Sequence, residues 1–232
     1  MSDGDRRRAP EFTRRREAIL NRVGDLGRNA DDLSWFDAVY GGADGDPAQV
    51  PWADLGPKEG LPEWLAQNPG DGRSALDVGC GLGDNAEALA AAGYATTGFD
   101  LSETAIGWAK QRFPDSPVEY VTADLFQLPE AWRGGFDLVF ECFTIQALEG
   151  APREQAFATI ADLVAPGGRL LAITITRDED VWPDGPPWPL ASSEIARFDD
   201  LGLQREDETA YDVVRHHGRR VPHMRLTYRK PA

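Results

Sequence analysis

The residues best placed to do chemistry lie between positions 74 and 146. The run Leu76-Asp77-Val78-Gly79-Cys80-Gly81-Leu82-Gly83 follows a short apolar stretch and precedes a helical one. At a strand-to-helix turn of this kind, glycines let backbone N–H groups approach a ligand that a Cβ would hold off. The spacing is GxGxG. A dinucleotide fingerprint, GxGxxG, needs a further glycine where Asp84 stands. A carboxylate there repels a pyrophosphate but tolerates a sulfonium that carries an amino-acid tail. Asp100 ends the next apolar run and can accept from both hydroxyls of a ribose, and Asp124, just past the run after that, can accept from an exocyclic amine. The glycine turn, Asp100 and Asp124 thus arrive in chain order at three successive strand ends.

Other chemistries find less support. Cys80 and Cys142 are the two cysteines, with no CxxC pair and no histidine close by, so neither a disulfide framework nor a metal site is expected. Nothing adjacent to Cys80 would lower its thiol pKa and make it a nucleophile. His216, His217 and His223 lie near the end of the chain, where any could take a proton near neutral pH, and His216 is the candidate base. Little depends on it for an acceptor that ionises easily. Alignment alone can supply about 7–11 kcal/mol, against roughly 3–5 kcal/mol from a general base. A thiol sulfur or a heteroaromatic nitrogen is therefore the expected acceptor, with a hydroxyl as the alternative.

The elements that hold these residues follow from periodicity. Residues 1–10 are polar and aperiodic, an expected disordered tail. Residues 11–70 form an expected helical cap. It comprises an amphipathic helix over 11–26, a short helix over 33–40 started by Asp31 or Asp32, a loop over 41–60, and a helix over 61–67. From 71 to 232 strands and helices alternate. Strands are expected at 74–78, 95–100, 118–122, 136–142 and 169–176, with helices at 85–92, 102–113 and from Pro152 to Pro166. A helix capped by Ser192 or Ser193 leads to two β-like runs, 203–214 and 221–229, an expected antiparallel pair. Alternation of this kind implies a parallel sheet covered on both faces, a doubly wound α/β domain.

In this order the segments DVGCGLG, GFDLS and ADLF resemble the three cofactor motifs of the class I S-adenosylmethionine-dependent methyltransferases, and FDLVFEC and APGGRLL resemble that family's later strand and helix stop. The resemblance covers residues 74–229. It implies a Rossmann-like seven-stranded sheet in the order 3-2-1-4-5-7-6 with the last strand antiparallel. It implies S-adenosyl-L-methionine as cofactor and S-adenosyl-L-homocysteine as product. Contacts to the cofactor would come from Asp77, Gly79, Cys80 and Gly81, from Asp100 and Leu101, from Asp124 and Leu125, and from the backbone of Cys142. Trp35, Tyr40 and Trp52 in the cap, with the later GPPWPL run, resemble the branch that contains thiopurine, halide and thiol methyltransferases. That likeness puts Trp35 and Trp52 over the cofactor and makes Tyr40, Phe143, Gln146, Trp182 and Trp188 the candidate substrate residues.

The charge narrows the partners. A net −15 over 232 residues disfavours nucleic acid, whose binding rests on neutralising phosphates. Residues 1–28 are net +3 and residues 215–232 net +6, so basic ends can fold back on an acidic body. The longest apolar stretches, such as 170–175, are too short to cross a bilayer, and the Arg-rich start has no apolar signal region. A cytoplasmic monomer or homodimer acting on a small molecule, without membrane or nucleic acid, is the expectation.

Overall fold

Seven strands run in the order β3-β2-β1-β4-β5-β7-β6, as expected. They are β1 (Ser74–Val78), β2 (Ala95–Asp100), β3 (Glu119–Thr122), β4 (Phe136–Cys142), β5 (Val164–Ile175), β6 (Gln204–Val214) and β7 (Arg220–Arg229). The computed structural model describes residues 33–183, 186–215 and 218–232. The tail over 1–10 and the helix expected over 11–26 lie outside them. β1 to β5 pair in parallel, whereas β7 runs antiparallel to both β5 and β6. That reversal brings the first residues of β7 to the edge where the other strands end, with His223 opposite Ile175.

Buried runs make the inner strands. Ala75, Leu76 and Val78 of β1 and Leu138, Val139 and Phe140 of β4 are closed to solvent on both faces, the pattern of a sheet covered by helices on either side. The helices are α1 (Trp35–Gly42), α2 (Leu61–Gln67), α3 (Asp84–Ala91), α4 (Glu103–Arg112), α5 (Gly150–Leu163), α6 (Ser192–Ile195) and α7 (Arg197–Asp200). Ser102 starts α4 as an N-cap, its Oγ accepting from the N–H of Ala105 at 3.0 Å. Many boundaries shift by one to three residues, and two differ in kind. β5 begins at Val164, because the Pro166-Gly167-Gly168 stop is absorbed as an irregularity in its pairing with β4. The single helix expected after Ser192 is two short turns, since a new turn starts at Arg197. Among the described residues no helix is long and apolar enough to cross a membrane, and no group of histidine, cysteine and acid side chains could hold a metal ion.

Candidate active site

The glycine turn and Asp100 are one unit. Gly79, Gly81 and Gly83 all have positive φ, 65°, 52° and 89°. A Cβ on Gly79 would lie 2.6 Å from Thr144 Oγ1, and one on Gly81 3.0 Å from the Tyr40 hydroxyl, so both space and backbone conformation exclude a side chain. The N–H of Gly81 donates to Asp100 Oδ2 and the N–H of Ser102 to Asp100 Oδ1, each at 2.9 Å. The carboxylate at the end of β2 thus ties the turn after β1 to the start of α4, and each oxygen keeps a lone pair for a ligand hydroxyl. Burial pushes the Asp100 carboxyl up to about 6. Asp77 is more extreme. It is 1% exposed, its Oδ2 has no hydrogen-bond partner among the described residues, and burial together with Asp100 raises its pKa well above the carboxylate range. An orphaned carboxylate beside a side-chain-free turn fits a cationic, amine-bearing nucleoside and is hostile to phosphates.

The cap closes this side. The Tyr40 hydroxyl that faces Gly81 accepts from Trp52 Nε1 at 2.5 Å, and Trp35 meets Trp52 edge to face at 6.0 Å. α1 is fastened to the strand end through Asp37, whose Oδ1 accepts from Ser102 Oγ at 2.5 Å and from the N–H of Thr104 at 3.4 Å. Tyr40 therefore stands beside the glycine turn, with the residues expected to hold the cofactor, and apart from those expected to hold the substrate. Asp84 is paired with Arg112 at 2.8 Å, so its charge is partly neutralised and it discriminates against phosphate less than its position in the sequence suggests.

Other expected residues have mixed placements. Asp124 is half-buried and folds its carboxylate onto its own turn, accepting from the Phe126 N–H at 2.9 Å and Gln127 Nε2 at 2.8 Å. Leu125 is buried beneath it and Leu101 is half-buried beside Asp100. Cys80 turns its sulfur toward Gly98, with burial raising the thiol pKa, so only its backbone can face a ligand. Cys142, half-buried at the end of β4, also has a raised pKa. Gln146 is a correction. Its Oε1 accepts from Thr174 Oγ1 at 3.0 Å and the Ile175 N–H at 2.9 Å, so it braces β5. Buried Trp188 belongs to the same brace through its N–H to the Gln146 carbonyl. Trp182 is also corrected, because it is 57% exposed with the Arg177 guanidinium 4.4 Å from its ring centre, a surface stack and not a pocket wall. His216, the expected base, lies outside the described residues.

Another group gathers where β4, β7 and the cap loop meet. Phe143, just past β4, holds a positive φ of 69°, a strained setting for an aromatic residue. Lys58 Nζ sits 4.1 Å from the centre of its ring and is ion-paired with Asp54. Asn85 holds this loop by accepting from the Lys58 N–H at 2.9 Å. His223, 1% exposed, also meets Phe143, ring to ring at 5.7 Å, and is stacked on Tyr211 at 5.6 Å. The Tyr211 hydroxyl donates to the Glu59 carbonyl at 2.7 Å, which closes the cap loop over the hairpin. Lys58 was not singled out from sequence, and His223 was named only as one of three histidines that could take a proton, with His216 preferred. One signal was available: the order 5-7-6 makes β7 an inner strand, so a histidine near its start is enclosed at the functional edge.

Residues 75–168 match the family described as Methyltransferase domain. The chain is similar to the ubiquinone biosynthesis O-methyltransferase of Aromatoleum aromaticum, 38% identical over 120 residues covering 50% of each chain. It is also similar to the same-named protein of Dechloromonas aromatica, 33% identical over 166 residues, 70% of this chain and 64% of that one. The chain thus spans about half to under two thirds of the length of these curated relatives. A solved structure titled for the conversion of a disulfide bond into a thioacetal group during echinomycin biosynthesis superposes with a TM-score of 0.68 at 25% identity, covering 86% of this chain and 93% of that one. The N-methyltransferase NodS of Bradyrhizobium japonicum, solved with S-adenosyl-L-homocysteine, matches with a TM-score of 0.64 at 21% identity, over 84% of this chain and all of that one. The branch of thiopurine, halide and thiol enzymes is not what these likenesses favour.

Proposed function

We propose that the protein is an S-adenosyl-L-methionine-dependent methyltransferase acting on a hydroxyl oxygen of a small ring-bearing molecule. The observation that carries the cofactor assignment is the Gly81–Asp100 hydrogen bond beside the orphaned Asp77 carboxylate. Asp100 would hold the ribose, Asp77 and the glycine turn the amino-acid tail, and Asp124 the adenine edge, with Tyr40 and Trp52 excluding water above. Bound there, S-adenosyl-L-methionine supplies an electrophilic methyl group and leaves as S-adenosyl-L-homocysteine. The hydroxyl acceptor is supported by the O-methyltransferase names of the two relatives, which displaces the first expectation of sulfur or ring nitrogen. Phe143 and Tyr211 would offer aromatic faces to the acceptor ring.

A second reading, transfer to sulfur, is favoured by one observation, the neighbour titled for chemistry on a disulfide. The experiment that separates them is calorimetric titration with S-adenosyl-L-homocysteine followed by assay of its release with catechols, thiols and azaheterocycles. Turnover of catechols above thiols supports the first reading, and thiols alone support the second. Absence of S-adenosyl-L-homocysteine binding would overturn both.

A further inference from the structure

The histidine of the β6–β7 hairpin has a geometry that its burial alone does not require. His223 Nδ1 lies 2.8 Å from the Val221 carbonyl oxygen. A carbonyl can only accept, so Nδ1 carries the hydrogen, and in the neutral ring the lone pair must sit on Nε2. That Nε2 is buried and has no hydrogen-bond partner among the described residues. The ring also lines a small cavity of about 30 Å³, together with Asp54, Lys58, Glu59, Val213 and Arg215. A space of that size admits a single hydroxyl-sized group. We propose that His223 is the general base of the transfer, with Nε2 accepting the proton of the acceptor hydroxyl.

The assignment rests on the hydroxyl acceptor proposed above. The acceptor oxygen forms its bond to the methyl carbon as the carbon–sulfur bond breaks, with that bond's electron pair remaining on sulfur. The hydroxyl proton passes to Nε2. One positive charge is consumed at sulfur and one appears on the imidazolium, so charge balances, and solvent takes the proton after product leaves. The surroundings suit a base that starts neutral. Burial lowers the His223 pKa below its ordinary value, the hydrogen bond to the Val221 carbonyl opposes it, the cationic Arg215 and Lys58 add to the lowering, and Asp54 opposes with a smaller effect. Among the described residues, Glu59 across the cavity, Tyr211 on the stacked face and Arg225 two residues along the strand are further charged and titratable groups near it. A phenol is the acceptor class for which this matters most. Its proton is held too tightly for positioning alone, yet a neutral imidazole can take it as the methyl arrives.

The test uses the full chain with S-adenosyl-L-methionine and two probes, catechol and the already acidic 4-nitrocatechol, for wild type and His223→Gln. With catechol, kcat in the variant should fall by roughly 10²- to 10⁴-fold, while affinity for S-adenosyl-L-homocysteine stays within about threefold. With 4-nitrocatechol the loss should be under about tenfold. The wild-type catechol profile should rise with pH along a limb that sits below the ordinary histidine value, and His223→Gln should lack that limb. A second measurement does not depend on the variant being active: ¹⁵N shifts of the wild-type histidines, with His223 assigned by its absence from the variant, should show the Nδ1–H tautomer. Equal losses with both catechols, an unchanged pH limb, or an Nε2–H tautomer would overturn the proposal. Failure of the hydroxyl reading is seen separately, as wild type turning over thiols and no catechol.

Discussion

The proposed donor side of the site is built from backbone and strand ends, and the proposed acceptor side from side chains that converge across 165 positions, from Lys58 to His223. The donor side needs close approach, so glycines with positive φ and a carboxylate that ties two loops together suffice, and all of them fall within residues 77–102. The acceptor side needs a shape and a proton acceptor. It recruits a cap loop, the strained residue after β4 and the start of an antiparallel strand. A donor site of this kind serves any acceptor, and specificity then lives in the parts that are far apart in the chain.

The comparison predicts that substitutions on the donor side abolish binding, whereas those on the acceptor side change turnover. The largest effect is expected for Gly81→Val. Its φ of 52° and the Tyr40 hydroxyl 3.0 Å from its would-be Cβ leave no room. Affinity for S-adenosyl-L-homocysteine should fall more than a hundredfold, with a stability cost of about 1–2 kcal/mol for the left-handed backbone. Calorimetry beside urea unfolding reads both, and normal binding would place the turn outside the site. Next in size is Asp100→Asn. Loss of the charge and of the Gly81 bond should weaken binding by roughly 10- to 100-fold, about 1.5–3 kcal/mol. Affinity in the wild type should in addition rise with pH through about 6, as the buried carboxyl ionises, and the Asn variant should lack that rise.

A smaller effect sharpens the boundary between the two sides. Trp52 is half-buried and donates to Tyr40, so Trp52→Ala should reduce cofactor affinity by about three- to tenfold through loss of the lid, roughly 1 kcal/mol. A large fall in melting temperature with unchanged affinity would make it a packing residue instead.

The same contrast explains what could be read from sequence. Contiguous motifs sit where a strand must end and a helix begin, so DVGCGLG and GFDLS pointed to the residues proposed for the donor side, the alternation of apolar runs yielded a parallel sheet, and the family resemblance supplied its strand order. Side-chain direction was not legible. Gln146 and Trp182 flank the cleft in sequence, yet one turns inward to brace β5 and the other outward onto Arg177, because local hydrogen bonding and a guanidinium stack decide their rotamers. Lys58 could not be read at all, since its place depends on the loop Asn85 holds. His223 was named only as one of three histidines able to take a proton, and its inner place on β7 could have set it above His216, but a histidine on a terminal hairpin reads as a surface residue.

The smallest effect on activity, and the clearest on stability, concerns the carboxyl between the two sides. Glu141 lies in β4, is 1% exposed, and accepts from the Ile145 N–H at 3.0 Å. Burial pushes its pKa up to about 7, against partial compensation from that turn and from Arg153. In the unfolded chain it releases its proton near 4.5, so between about pH 4.5 and 7 the folded protein holds more protons than the unfolded one. Stability attributable to Glu141 must then fall as pH rises through that window, reaching a cost of roughly 3 kcal/mol above it. Glu141→Gln keeps the acceptor for Ile145 and removes the ionisation. Urea unfolding at pH 5, 6, 7 and 8 should find the two proteins alike at pH 5 and the Gln variant progressively more stable toward pH 8. Asp100, shifted in the same direction, contributes equally to both proteins and cancels in the difference. A difference that does not vary with pH would mean that Glu141 is charged in the fold throughout, and that the wall between donor and acceptor sides carries a buried anion.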